Sequence, residues 1–159
     1  MQGRLLPKYK GRYQAHPVGY WEKEFLIASQ LDLKCIEFIF DYDDFDINPL
    51  WSKEGRKNIS NISTQTGVKV YSVCADFFME CPLHSPIKEN RNFAQNILLG
   101  LIRKCDELSI SDIVIPCVDH SSLKTECSLE IFFLTELPLL ELVHLKDILH
   151  WIVQCMVQI

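Results

Sequence analysis

The run Cys35-Ile-Glu-Phe-Ile-Phe40, closed by the acidic stretch Asp41-Tyr-Asp-Asp-Phe-Asp46, decides how this chain is read. Its β-branched and aromatic residues, bounded by turn-forming acids, describe a buried strand and are too few for a helix. Side chains alternate along a strand, so Ile36, Phe38 and Phe40 share one face while Cys35, Glu37 and Ile39 share the other. The bulky set suits packing against helices, which sends Glu37 to the opposite, interior side. A carboxylate inside an apolar run is costly unless paired or liganded, and that makes Glu37 the first candidate functional residue.

Working outward, the same strand-then-helix alternation recurs. Upstream, Trp21, Phe25, Ala28 and Leu31 step by threes and fours, the period of an amphipathic helix. Met1–Leu6 reads as a first strand before it. Downstream, a helix is expected between Ser52 and Thr66, capped by Ser52 and ended by Gly67. Val68–Cys74 is the third strand. Ser85-Pro86 is expected to open the clearest helix, with Pro in its first position and Ala94, Ile97, Leu98, Leu101, Ile102, Cys105 and Leu108 forming its apolar stripe. Ile113–Val118 is the fourth strand, ended or bent at Pro116, which removes a ladder hydrogen bond. Strands alternating with helices imply a mainly parallel sheet. From Thr125 the chain becomes Leu-rich and carries Pro138 within a helical pattern, suggesting a broken helix over 130–146 and a final strand or helix over 148–157.

The composition fits one globular domain: 159 residues, 48% hydrophobic and 23% charged, with six Gly and seven Pro. A net charge of −5 gives no reason to expect a nucleic acid or an anionic membrane as partner. The start has no secretory h-region, and no window reaches the length of a membrane span. Seven scattered cysteines without a C-x-x-C pair suit a reducing compartment, so a cytoplasmic location is expected.

In a parallel sheet, ligands gather at the carboxyl ends of the strands. The strand alternation places Val70, Ser72, Cys74 and Asp76 on one face, and Ile115, Cys117 and Asp119 on another, so each strand delivers an acid to that edge. Arg4, near the end of the first strand, supplies a matching positive charge. An acid just past a strand is more often a turn former or a helix cap, and Asp41, Asp43, Asp44 and Asp46 are most simply a solvated loop. Cys74, Asp76, Cys81 and His84 fit no standard zinc spacing, so free thiols are the preferred reading. His16, His120, His144 and His150 show no paired metal-binding spacing. The sequence contains no phosphate-binding glycine loop and no nucleophile elbow.

Five segments in order carry a family resemblance: Met1-Gln-Gly-Arg-Leu5, the Trp21-Glu22-x-Glu24-Phe25 helix start, Cys35–Asp41, Ser72-Val-Cys-Ala-Asp-Phe-Phe-Met79 and Ile113–Asp119. Together they resemble the xylose isomerase-like barrel superfamily, in particular its sugar phosphate isomerases and epimerases, over about residues 1–124. The resemblance implies a TIM-type (β/α) barrel with a divalent metal (Mn, Mg, Co or Zn) at the carboxyl ends of its strands. It implies proton transfer between adjacent carbons of a ketose or aldose, with Arg4, Glu37, Asp76 and Asp119 lining the substrate side. The family's metal ligands come from later strands, so this chain alone is not expected to bind the metal.

A whole barrel takes about 250 residues. The expected fold is therefore an α/β barrel truncated to four or five β-α units, a half-barrel or open parallel sheet. Ile148–Ile159 holds no acid where the family's fifth strand should end in glutamate. The 125–159 segment is accordingly expected to be of uncertain register, with a frame-shifted tail from about His150. Unpaired strand edges would favour self-association. The expected small-molecule partner is a sugar or sugar phosphate. Two other readings stand beside this one: a non-catalytic α/β binding or interaction module, and a metal-dependent DNA-repair endonuclease relative, which the acidic charge disfavours.

Overall fold

A computed structural model describes residues 5–125, 128 and 130. Helix α1 (Glu22–Gln30) leads into strand β1 (Cys35–Ile39), followed by helix α2 (Lys53–Thr66) and strand β2 (Lys69–Cys74). A short helix α3 (Phe77–Glu80), a long helix α4 (Lys88–Glu107) and strand β3 (Asp112–Val114) follow. The strands form an open parallel sheet in the order β1-β2-β3. An α/β protein with a parallel sheet is thus observed. Of the expected first strand, residues 1–4 lie outside the described residues, and Leu5 and Leu6 form a bend. The segment after Ser128 lies almost wholly outside them as well.

Local chemistry explains the element boundaries. Ser52 accepts the Gly55 N–H at 2.9 Å, and Gly67 closes α2 in the left-handed region at φ 71°. The start of α4 differs from expectation. Ser85, Pro86 and Ile87 form a turn in which the Ser85 hydroxyl accepts the Ile87 N–H at 3.3 Å, and the helix begins at Lys88. Strand β3 ends two residues before Pro116, in keeping with the missing donor there.

The core lies between the sheet and the helices. Ile36, Phe38, Phe40, Val73 and Ile113 pack with Phe25 and Ala28 of α1, Ile59 of α2, and Ala94, Leu98, Leu101 and Ile102 of α4. The helix-facing set predicted for β1, Ile36, Phe38 and Phe40, is therefore observed. Two other facial assignments are corrected. The β1–β2 register shifts between Ile36 and Glu37, pairing Ile36 with Val70 and Glu37 with Ser72. Tyr71 is left over, a bulge, and Val70 turns to the core side instead of sharing a face with Ser72. In the fourth segment the pairing of Cys74 with Val114 puts Ile115 and Cys117 in the core, while Val114, Pro116 and Val118 face the other way.

The five described cysteines form no disulfide with one another, four of them are buried, and burial pushes the Cys105 thiol up to about 12. Cys81, Cys105 and Cys117 pack in the core cluster as small residues, whereas Cys74 faces the cleft. Among the described residues no helix is long and apolar enough to cross a membrane.

Candidate functional site

A cleft of about 940 Å³ opens on the sheet face away from the helices, at the carboxyl ends of the strands. Glu37, Asp76 and Asp119 all line it, so the three described acids expected at this edge do converge. Arg4 lies outside the described residues.

Each acid is held differently. Glu37 stands midway along β1, opposite Ser72, whose hydroxyl donates to Glu37 Oε2 at 2.8 Å. The parallel register creates this pair, because the bulge at Tyr71 brings Ser72 rather than Tyr71 across from Glu37. Asp76 sits at the N-cap position of α3, yet its side chain makes no cap bond. Instead Oδ1 accepts the Cys74 thiol at 3.1 Å and Oδ2 accepts the Gln14 side-chain amide at 3.2 Å. Burial pushes Asp76 above the ordinary carboxylate range, against the lowering effect of those two bonds. Asp119 is exposed at the rim, where a left-handed backbone (φ 53°) breaks the alternation and swings the chain into a 3₁₀ turn.

The acidic stretch after β1 is not simply a solvated loop. Asp41 is only 5% exposed. Its Oδ2 accepts the His16 backbone N–H at 2.7 Å, and Oδ1 lies 3.6 Å from Arg12 Nη1. Burial raises its pKa, while the His16 bond and the Arg12 charge act in the opposite direction. Asp44 accepts from Lys10 Nζ at 2.6 Å and from Tyr9 Oη at 3.2 Å, which holds its carboxyl below the usual range. Asp43 and Tyr42 line the cleft.

These contacts reveal a strap, residues 9–16, laid over the strand ends and fastened to Asp41, Asp44 and Asp76. It brings Arg12 and Gln14 into the cleft, two residues that strand periodicity could not find. A usable signal was present: a polar loop between a first strand and its helix belongs at the ligand edge of a β-α protein. The strap's inner end is anchored by buried Ala15 and His16, the imidazole packing 5.2 Å from the Phe38 ring and 6.5 Å from that of Trp21.

A divalent cation would need several carboxylate, imidazole or thiolate groups around one point. Among the described residues no such group of three forms. In the cleft, both oxygens of Asp76 accept hydrogen bonds, from Gln14 and Cys74, and Oδ2 of Asp41 accepts the His16 N–H. The described residues do not fit a metal centre, and no step is assigned to one. What they do provide is a row of hydrogen-bond acceptors with one cation, suited to a polyhydroxylated ligand. No protein-family model matches the chain, and no curated protein matches it in sequence.

Proposed function

We propose that this chain carries the substrate-binding portion of a sugar phosphate isomerase or epimerase of the xylose isomerase-like (β/α) barrel type. The observation that carries the reading is the convergence of Glu37, Asp76 and Asp119, from three successive β-α units, on one cleft. Carboxylates are strong acceptors for sugar hydroxyls, and bonds to charged groups are about twice as strong as neutral ones. The cleft's volume is that of a small-molecule site. In the reaction implied, a proton moves between adjacent carbons of a ketose or aldose. The described residues bind and orient the sugar: Glu37, with Oε2 fixed by Ser72, presents its carboxylate to a hydroxyl from the floor of the cleft, and Asp119 approaches from the rim.

Titration calorimetry of the full chain with D-ribulose, D-xylulose and D-ribose and with their 5-phosphates, each with and without Mn²⁺, tests this reading. At least one sugar is expected to bind, and Glu37→Gln is expected to weaken it about tenfold, the loss of one charged hydrogen bond. Heat from none of the sugars, in a protein that melts cooperatively, would replace this reading with that of a non-catalytic α/β module.

A further inference from the structure

We propose that Arg12 recognises an oxyanion on the substrate, a phosphate ester or a carboxylate, and so sets which end of the sugar lies under the strap. The inference rests on the sugar reading above and assigns one residue to the anionic group of its substrate. Among the described residues Arg12 is the one cation lining the cleft, which it shares with Glu37, Asp41, Asp43, Asp76, Glu80 and Asp119. Arg12 is therefore the one described lining residue whose charge is opposite to that of an entering anion.

The guanidinium is placed but not used up. Its side chain is 50% exposed, and the 3.6 Å to Asp41 Oδ1 is longer than a hydrogen bond. Asp41 cannot follow it outward, because Oδ2 is tied to the His16 N–H inside the protein. Arg12 therefore keeps most of its N–H donors for a ligand, with Asp41 orienting it from behind. Its backbone is equally constrained. Tyr9 and Arg12 exchange two backbone hydrogen bonds of 2.9 Å around Lys10 and Gly11, both left-handed, at φ 47° and 81°. Tyr9 and Lys10 then pin this turn to Asp44. A planar fork on a fixed base matches the two-oxygen face of a phosphate or carboxylate. With the oxyanion held there, the hydroxyls fall toward the acceptors Glu37 and Asp119.

The test compares ribose 5-phosphate, ribonate and ribose as calorimetric ligands of the full chain and of Arg12→Gln and Arg12→Lys. An anion is expected to bind about tenfold tighter than ribose. Arg12→Gln should erase that advantage, weakening the anion about tenfold more than it weakens ribose, and Arg12→Lys should restore part of it. A gain confined to ribose 5-phosphate assigns the site to phosphate, and one confined to ribonate assigns it to carboxylate. Equal weakening of all three ligands by Arg12→Gln, or ribose binding as tightly as both anions, would overturn the assignment while the sugar reading stands. Binding of none of the three would overturn both.

Discussion

Replacing Gly55 by alanine sets two effects against each other. Gly55 lies in the first turn of α2, outside the left-handed region, so on helix propensity alone alanine should stabilise by about 1 kcal/mol. The tertiary structure opposes this. An added Cβ would sit 2.3 Å from the Pro49 carbonyl oxygen and 2.5 Å from its Cα, both backbone atoms. That segment has little freedom to retreat. Asn48 Nδ2 donates to Ile39 O at 3.0 Å, Asn48 Oδ1 accepts the Leu50 N–H at 3.0 Å, and Arg56 Nη1 donates to Leu50 O at 3.0 Å. Leu50 itself is fully buried. Relief of the clash must break one or two of these bonds at about 1 kcal/mol each, in addition to about 1–3 kcal/mol of overpacking strain. The strain wins, and a net loss of about 2–3 kcal/mol is expected, or roughly 5–10 °C in Tm for a domain of this size. Urea titration monitored by circular dichroism, with a thermal scan, measures both. A Gly55→Ala protein as stable as the parent, or more stable, would refute the argument that backbone proximity excludes a side chain here.

Two further outcomes follow from burial. Burial between aromatic rings pulls the His16 imidazole down to about 4. A depressed histidine favours the fold above its unfolded pKa, and this contribution disappears as pH falls through the folded value. His16 should therefore cost the protein about 3 kcal/mol of stability between pH 6.5 and about 4. Glu24, Asp41 and Asp76, whose pKa values are raised, shift stability the other way, favouring the fold as the pH drops. The difference between His16→Phe and the parent isolates the histidine, and a difference that stays constant from pH 7 to pH 4 would contradict this assignment. Phe40, fully buried against the rings of Phe45, Trp51 and Phe77, should cost about 3–5 kcal/mol when truncated to alanine. Denaturant midpoints check this, and a loss under about 1 kcal/mol would mean that the aromatic cluster closes over the gap.

Much of the fold was legible because its signals are local. The β-rich runs at Cys35 and Val68, the Ser52 cap, the Gly67 stop and the stripe from Ala94 to Cys105 depend on residues a few positions apart. Glu37 was legible for the same reason, since a carboxylate within an apolar run stands out without any knowledge of its neighbours. The start of α4 is not legible locally, because Ser-Pro is compatible with both a helix start and a preceding turn. The role of Asp41 is hidden in the sequence, because its burial depends on the strap laid across it and its neighbours are acids too.

The amino-acid sequence by itself determined that this is a strand-helix alternation with a parallel sheet, and that acids stand near the strand ends. Tertiary structure alone decided which side chains share a face and what meets them. The bulge at Tyr71 and the register of Cys74 with Val114 are set by pairing between strands, and a shift of one residue reverses every side chain beyond it. Arg12 and Gln14 reach Asp41 and Asp76 only because residues 29 and 62 positions apart in the chain fold against one another. Periodicity carries no information about contacts at that separation.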